Sequence, residues 1–328
     1  KTKRIHDGVV TGVAGYGNPL GIPNVGGDLY YHNGYNENCL VTLVTLGIVR
    51  ENDIIHSYAP KNANGYDLIL LGKPTDNSGF GGASFASLEL EEKKKKQNKG
   101  AVQEPNAFLG RHLLKSSYAL FEILKEKGLI NKIGFKDLGA GGVACASVEL
   151  AETSGYGAEV WMEKIHISME GLHPSVYLCS ETQERFMWVC SPEVTPMILD
   201  HYNNVFDLPG VSTGARASVI GKIRNDGQYI VHNGDEEIVN AKAKEVTEGF
   251  LYDRPFEAWE SNYLKVKERI QSSESCYEMV QGNMVELLNS PLYENQFDYL
   301  SLSDVPSYFS GKVEKEFLQD MAPSVRKG

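Results

Sequence analysis

The order of apolar and polar positions predicts a folded unit that begins near residue 63 and mixes short strands with amphipathic helices. Residues 66–71, 132–136 and 184–190 are predicted to be strands. Residues 108–127 carry leucines at helical spacing and end at a glycine stop, Gly128, and residues 143–153 predict a second helix. Because strands and helices alternate irregularly, the pattern favours an α+β or mixed α/β fold over a doubly wound sheet.

The remaining segments are less regular. Further strands are predicted at 158–167, 217–223, 228–232 and 236–239, a helix at 192–203, and a hairpin turn at Asn225-Asp-Gly227. The charged run at 89–100 is typical of a solvated surface segment, with a phosphate-steering lid as the alternative. Residues 257–271 are a candidate helix.

Residues 1–57 are rich in glycine and too few for a domain of their own. Within them, residues 40–49 are continuously apolar and β-branched, which predicts a buried strand. We therefore expect three parts: 1–57 as the end of one domain, 63–250 as a complete domain, and 251–328 as a linker or extension.

Composition and charge exclude several classes of protein. The 328 residues are 41% hydrophobic and 23% charged, as in soluble globular proteins. No apolar run approaches the roughly 20 residues that span a bilayer, and a net charge of -11 argues against a general nucleic-acid binder. The five cysteines form no CxxC pair, and Cys145, Cys179 and Cys190 have apolar or small neighbours. We expect buried free thiols in a reducing cytosol.

The segment Asp137-Leu-Gly-Ala-Gly-Gly-Val143 places a carboxylate before a glycine-rich turn that opens into a helix. Free N–H groups at a helix start favour phosphate, and a carboxylate beside phosphate commonly holds Mg²⁺. This predicts a phosphate or metal site with Asp137 as metal ligand and Gly139, Gly141 and Gly142 in the phosphate loop. The alternative is a plain strand-to-helix turn with an aspartate N-cap.

Three other groups of residues are candidates for binding. Ser180-Glu-Thr-Gln-Glu-Arg185 concentrates polar side chains ahead of an apolar run; the alternative is a surface ion-pair network, with Arg185 pairing Glu181 or Glu184. The glycines before residue 87 predict an anion-binding nest or a flexible turn, with Gly79, Gly81 and Gly82 as candidates. Gln103 alone is typical of a polar loop residue. The histidines, including His112, His201 and His232, have no metal-site spacing, and structural roles are expected.

Seven separated blocks, taken in order, resemble one family. They are Gly15-Tyr-Gly-Asn-Pro-Leu-Gly-Ile-Pro-Asn-Val-Gly-Gly-Asp28, Asn36-Glu-Asn-Cys-Leu-Val41, residues 75–87, Val102-Gln103, residues 137–142, residues 180–185 and Tyr252-Asp-Arg-Pro255. The family is the synthetase component of formylglycinamide ribonucleotide amidotransferase, in the aminoimidazole ribonucleotide synthetase superfamily. The resemblance implies the end of an N-terminal-type α+β domain followed by a complete three-layer α/β/α C-terminal-type domain.

The resemblance also implies chemistry. ATP would activate the amide oxygen of formylglycinamide ribonucleotide, and ammonia from a glutaminase subunit or domain, joined by a small bridging subunit, would displace phosphate. Carried over by position, Asp137 is expected to bind Mg²⁺, and Gln103, Glu181, Thr182 and Gln183 to contact the ribonucleotide. The family's catalytic histidine would precede Lys1. Two alternatives stay open: a non-catalytic scaffold half of the same assembly, and a sister synthetase for another phosphorylated substrate.

Overall fold

A computed structural model describes residues 2–23, 25–35, 39–82, 103 and 105–248. By its contacts the chain divides into residues 1–251 and 252–328, and every described residue belongs to the first part. The charged run at 89–100 and the candidate helix at 257–271 therefore lie outside the described residues. The proposed boundaries between domains stay predictions.

A seven-stranded mixed sheet forms the centre of the described residues. Its strands, in chain order β1 to β7, are Asp67–Gly72, Ile133–Asp137, Gly157–Trp161, Arg185–Cys190, Arg216–Arg224, Gln228–Asn233 and Glu236–Lys242. The spatial order is β2-β4-β1-β5-β3-β6-β7. The pair β3–β6 is parallel and the other five pairs are antiparallel. A mixed sheet of this kind confirms the predicted mixed α/β class.

Helices of very different length accompany the sheet. In chain order α1 to α7, they are Thr2–Gly17, Ala107–Glu126, Gly142–Glu152, Pro174–Cys179, Thr195–Asp200, Leu208–Val211 and Ala243–Glu248. A π-helical turn, His201–Val205, continues α5, and single 3₁₀ turns occupy Asn18–Leu20, Asn33–Tyr35, Glu51–Asp53, Ile130–Lys132 and Met162–Lys164. No helix in the described part of the chain is both long and apolar enough to cross a membrane.

The helices cover the sheet in two layers. Leu68 and Leu70 of β1 face a core shared with α3 and α4. Their neighbours Ile69 and Leu71 face the opposite core, shared with α2, α5 and α6. All six residues of β1 are buried, as expected of a strand covered on both faces. The three-layer α/β/α arrangement that the family resemblance implies is thus confirmed.

The longest helix, α2, begins and ends where its sequence predicts. The Asn106 side chain accepts a hydrogen bond from the Leu109 N–H at 3.0 Å and so caps the first turn. At the other end Gly128 takes a left-handed conformation at φ 66°, and the Leu129 N–H reaches back to the Leu124 carbonyl at 2.8 Å. These two signals set where α2 begins and ends.

The predicted hairpin at Asn225-Asp-Gly227 is wrong in its pairing. A turn does form there, but β5 and β6 are not neighbours because β3 lies between them. The observed hairpin joins β6 to β7 through Gly234-Asp235, where Gly234 has φ 61°. A turn signal predicts a reversal of the chain, but it does not decide which strand fills the space between the two arms.

The buried strand predicted at 40–49 is also wrong. These residues have no strand pairing and are all exposed, with Leu46 at 86% and Ile48 at 106% relative exposure. No described strand lies beside them, so the apolar and β-branched residues have no ladder to join. Strand propensity alone did not produce a strand.

The cysteines are only partly as predicted. The described cysteines are free, and Cys190 is buried. Cys145 is half-buried and Cys179 is exposed, because Cys179 lies at the end of the short helix α4. The expectation of burial is therefore correct for Cys190 and wrong for Cys179.

Candidate functional site

The candidate residues collect at one end of the sheet, which we call the site end. Strands β1 and β2 finish there, and β4, antiparallel to both, begins there. The loop after Gly72, the turn after Asp137 and the segment before Arg185 therefore meet, although they are far apart in the sequence. The sheet topology explains why separate sequence blocks build one site.

The turn after β2 leaves the Asp137 carboxylate exposed. The N-cap of α3 is Gly141 at φ 73°, without a side-chain cap, so the alternative of an aspartate N-cap is wrong. A Cβ at Gly142, which has φ 59°, would lie 2.4 Å from the Ser180 carbonyl oxygen, so this position requires glycine. A Cβ at Gly139 would lie 3.6 Å from Asp137 Oδ2. The carboxylate thus lies beside the glycine turn.

Glu181 joins this turn to Gln103. Its Oε2 accepts a hydrogen bond from Gln103 Nε2 at 3.0 Å, and its Oε1 makes a long contact of 3.5 Å with the Gly141 N–H. Glu181 is only 3% exposed. Gln183 donates from Nε2 to the Glu181 carbonyl at 2.9 Å and is also buried. Because both side chains are buried, this segment does not lie at the surface as the ion-pair alternative required.

Thr182 faces inward rather than outward. Its hydroxyl donates to Asp76 Oδ1 at 2.9 Å and accepts from the Asp76 N–H at 3.1 Å. Burial opposes ionisation of Asp76, but hydrogen bonds from Lys73, Ser78 and Thr182 outweigh it and lower its pKa to about 2. Thr182 thus holds the loop after β1 in place. Its contact with a substrate stays a prediction.

The predicted phosphate loop after β1 is described only as far as residue 82. Gly79 and Gly81 have φ of 68° and 72°, as in backbone nests that bind anions. A Cβ at Gly79 would lie 3.0 Å from the Glu181 Cβ and 3.1 Å from the Gln103 Cγ. The Gly82 N–H is engaged with the Gly79 carbonyl at 3.0 Å. The loop therefore lies against Glu181 and Gln103.

Arg185 holds the segment before β4 together, a role that the sequence analysis missed. Its guanidinium donates to the Thr182 carbonyl at 2.9 Å, the Thr75 hydroxyl at 2.8 Å and the Ser180 carbonyl at 2.6 Å. The pairing expected with Glu181 or Glu184 is wrong: the group is fully buried among neutral oxygens, and burial lowers its pKa to about 10. Three neutral acceptors satisfy the charged group inside the protein.

Glu184 is a second missed residue, and its backbone is strained. It has φ 52°, and a Cβ at Gly72 would lie 2.1 Å from its carbonyl oxygen. Its Oε2 is buried without a hydrogen-bond partner among the described residues. Burial raises the pKa of Glu184, while a hydrogen bond from the Asn106 backbone and the charge of Lys73 oppose that rise. In the sequence, only the acidic residues of the segment 180–185 pointed to Glu184.

Three histidines of the described residues make hydrogen bonds that fit structural roles, whereas His112 Nε2 is buried without a hydrogen-bond partner among the described residues. His166, the most buried, contacts the Gly72 carbonyl through Nε2 at 3.0 Å and the Ser218 hydroxyl through Nδ1 at 3.1 Å. Burial, with the nearby Arg216, lowers its pKa to about 3, so it is neutral. His201 Nε2 lies 2.9 Å from the Ser116 carbonyl, and His232 Nε2 lies 2.8 Å from Glu159.

A magnesium ion fits this donor set through one carboxylate rather than through a cage. Among the described residues, no group of three or more His, Cys, Asp or Glu side chains could hold a metal. Mg²⁺ commonly keeps several waters and binds through one or two carboxylates and the phosphates of a ligand. The exposed Asp137 carboxylate beside a glycine turn meets that requirement.

An open groove among the described residues lies elsewhere, at what we call the groove end. This open groove of about 490 Å³ is lined by residues that precede or begin β2, together with residues 52–60 and the end of α2. Its charges are already paired, because Lys125 lies 2.7 Å from Asp53. We place the site by its polar groups rather than by the groove.

Comparison with known families supports the fold class that we assign. Residues 64–233 match the family described as AIR synthase related protein, C-terminal domain. That match covers more than half of the 328 residues and includes Gln103, Asp137 and Glu181.

Curated relatives point in the same direction. Phosphoribosylformylglycinamidine synthase subunit PurL of Methanothrix thermoacetophila is 41% identical over 89% of this chain and 37% of its own length. The same subunit of Methanopyrus kandleri is 35% identical over 82% of this chain and 34% of its own. The chain spans only about a third of the length of these relatives.

A solved structure extends the likeness to three dimensions. The structure described as T. maritima PurL complexed with FGAR has a TM-score of 0.60 and 25% identity, over 85% of this chain and 40% of that one. The fold of the described residues is therefore similar to that of a known PurL.

Proposed function

The chain belongs to the AIR synthase related protein family, and on that premise we propose that it supplies substrate- and magnesium-binding residues of a phosphoribosylformylglycinamidine synthase. The proposed reaction is the ATP-dependent amidation of formylglycinamide ribonucleotide. ATP transfers its γ-phosphoryl group to the amide oxygen. Ammonia then attacks the amide carbon that carries this oxygen and displaces phosphate. The product is the amidine.

One observation carries the proposal: a single buried carboxylate, Glu181, contacts both Gln103 and the glycine turn beside Asp137. A scaffold needs none of these groups held together in this way. Phosphoryl transfer needs them, since its catalysis depends on positioned donors and charge stabilisation more than on covalent chemistry.

Each candidate residue has a proposed role that follows from its position. The exposed Asp137 carboxylate would hold Mg²⁺, which when bound neutralises charge on phosphoryl oxygens. The turn formed by Gly139, Gly141 and Gly142 would receive a phosphate, with the loop carrying Gly79, Gly81 and Gly82 opposite. The amides of Gln103 and Gln183 would bind the ribonucleotide, and Glu181 would orient Gln103. Thr182 would act through its hold on the Asp76 loop.

We also propose partners and a setting for the reaction. The relatives are named as subunits, which supports an assembly in which a glutaminase subunit or domain provides ammonia and a small bridging subunit joins it. Free thiols among the described cysteines fit a reducing cytosol.

The test is calorimetric titration of the 328-residue chain with formylglycinamide ribonucleotide, with and without Mg²⁺. We expect Mg²⁺ to strengthen binding by about tenfold, or about 1.4 kcal/mol, and Asp137→Asn to lose that gain. Asp226→Asn, on the exposed turn between β5 and β6, is the matched control and should keep it. A folded chain that binds no ribonucleotide under either condition would instead support the scaffold alternative.

A further inference from the structure

The cap of α2 is incomplete within its own sequence. Asn106 caps the helix through its side chain, which accepts a hydrogen bond from the Leu109 N–H at 3.0 Å. In a capping box, a glutamate or glutamine at the third helical position returns this contact by accepting from the backbone N–H of the cap residue. The third position of α2 is Leu109, which has no side-chain acceptor. The second half of the capping box therefore cannot come from α2 itself.

Glu184, from the segment before β4, supplies this second half. A Cβ at Gly110, one turn into α2, would lie 3.6 Å from the Glu184 Cγ and 3.9 Å from Glu184 Oε1, so the carboxylate lies beside the first turn of the helix. There it accepts a hydrogen bond from the Asn106 backbone. A negative charge at the start of a helix is favourable. A residue far from α2 in the sequence thus completes its cap.

The start of α2 is also the end of the segment that carries Gln103. Only two residues separate Gln103 from the Asn106 cap, and one of them, Pro105, has a φ angle fixed by its ring. The exposed Gln103 donates from Nε2 to Glu181 Oε2 at 3.0 Å. Glu181 and Glu184 therefore hold residues 103–106 at both ends.

The stability of the fold does not explain a glutamate at position 184. Its φ of 52° is unfavourable for glutamate and accessible to glycine, and its Oε2 is buried without a hydrogen-bond partner among the described residues. The turn itself is held by main-chain contacts, since the Glu184 carbonyl accepts from the Lys73 N–H at 3.1 Å. Glycine would form the same turn without either cost. The contacts of the carboxylate are what glycine could not provide.

We propose that Glu184 is a positioning residue for ribonucleotide binding, whose carboxylate completes the cap of α2 and thereby holds Gln103 in place for the ligand. The inference rests on the proposed function, in which Gln103 contacts the ribonucleotide. Glu184 acts through Gln103 and does not itself touch the ligand. Because Asp137 lies on a different turn, the contribution of Mg²⁺ to binding is independent of Glu184.

Glu184→Gly separates this role from a role in folding. We expect the urea midpoint to change little, because relief of the strain and of the unpartnered oxygen offsets the loss of the cap. Ribonucleotide should bind about fivefold to tenfold more weakly in the calorimetric titration, because the ordering of Gln103 then opposes binding. If Glu184→Gly were strongly destabilised instead, Glu184 would be a folding residue and the proposal would be overturned.

Two further variants serve as controls in the same titration. Glu184→Gln keeps an oxygen that can accept from the Asn106 N–H and should bind the ribonucleotide normally. Glu193→Ala, at an exposed glutamate beyond the other end of β4, should also bind normally. Weakening by Glu184→Gln as large as that by Glu184→Gly would overturn the proposal, because the hydrogen bond to the cap would then not be the cause.

A double-mutant cycle identifies the residue through which Glu184 acts. Gln103→Ala should weaken binding at least as much as Glu184→Gly, and Glu184→Gly added to Gln103→Ala should cause no further loss. Additive losses would overturn the proposal, because Glu184 would then act without Gln103. The gain in affinity from Mg²⁺ should be kept in Glu184→Gly, and its loss would likewise overturn the proposal.

Amide hydrogen exchange tests the contact without a ribonucleotide. We expect the Asn106 N–H to exchange several-fold faster in Glu184→Gly than in the wild type, and at the wild-type rate in Glu193→Ala. Unchanged exchange in Glu184→Gly would overturn this inference and leave the proposed function standing. A wild-type chain that binds no ribonucleotide would overturn the function and, with it, the positioning role.

Discussion

The two ends of the sheet differ in how their polar groups are held. At the site end, Glu181, Gln183 and Arg185 are buried and hydrogen-bonded, while Asp137 is left exposed beside them. At the groove end there is an open groove of about 490 Å³, and its ion pair, Lys125–Asp53, lies at the surface. Buried polar groups are costly unless they are satisfied, whereas an exposed pair costs little and contributes little.

This difference teaches that cavity shape is a weaker guide to function here than the arrangement of polar groups. Backbone strain is also present at the site end, where Glu184 has φ 52°; Asn62 and Asp207, which also have positive φ, are of residue types that tolerate this conformation. Such strain persists where the surroundings impose it, and it concentrates at functional sites.

The largest expected effect comes from breaking the site end at Arg185. Replacement by Met keeps the length of the side chain but leaves the Thr182 and Ser180 carbonyls and the Thr75 hydroxyl without their donor. Three orphaned groups at roughly 1–3 kcal/mol each would cost about 3–9 kcal/mol. Because the variant also removes a buried charge, we expect the lower part of that range, a loss of about 3–5 kcal/mol in the free energy of unfolding, measured by urea denaturation.

Arg224→Met is the matched control for that experiment. Arg224 forms ion pairs with Asp226 and Glu159 near the surface, so we expect a loss of about 1 kcal/mol or less. If Arg185→Met were as mild as this control, the guanidinium would not hold the site end together, and the contrast between the two ends would be lost.

A medium effect is expected from pH, through His166. Its pKa is about 3 in the folded chain against an ordinary value of 6.5. The unfolded chain therefore binds a proton as pH falls below about 6.5 while the folded chain does not, so folding stability is lost toward pH 3. The slope from this one group approaches about 1.4 kcal/mol per pH unit.

His166→Gln tests this slope, because a Gln amide can still donate to the Gly72 carbonyl. Urea denaturation from pH 7 to pH 4 should give a shallower fall in stability for the variant than for the wild type. His56→Gln, at an exposed histidine whose side chain makes no hydrogen bond among the described residues, should follow the wild-type curve. Parallel curves for all three proteins would show that burial of His166 does not make the folding stability depend on pH.

Local signals in the sequence predicted the elements better than their partners. Three such signals are contained in a few neighbouring residues, and the structure shows all three: the apolar run of β1, the Asn106 cap and the Gly128 stop. Residues 40–49 carry the same kind of apolar pattern as β1 but stay exposed. A strand is completed by pairing with distant segments, and that information is not local.

The candidate site shows the same limit. The motifs located Gln103, Asp137 and Glu181, and the sheet topology brings them together. The hydrogen bonds of Arg185 and the backbone of Glu184 could not be predicted. The Ser180 and Thr182 carbonyls are close to Arg185 in the sequence but face it only in the folded segment, and Thr75 and Gly72 approach from β1 and the loop after it. Thr182 belongs to the predicted binding motif, but its hydroxyl donates to Asp76 and so holds the loop after β1.

The smallest effect is expected at the groove end, where Lys125→Ala removes the cation of the groove. Lys125 is exposed and its partner Asp53 remains solvated, so we expect no measurable change in the urea midpoint. Ribonucleotide binding should also be unchanged in the calorimetric titration, because the groove lies at the opposite end of β2 from Asp137. Asp53→Asn, which removes the other half of the pair, should behave alike. If either variant bound the ribonucleotide more than about threefold more weakly, or by roughly 0.7 kcal/mol, the ligand would bind at the groove end. The assignment of the two ends would then be reversed.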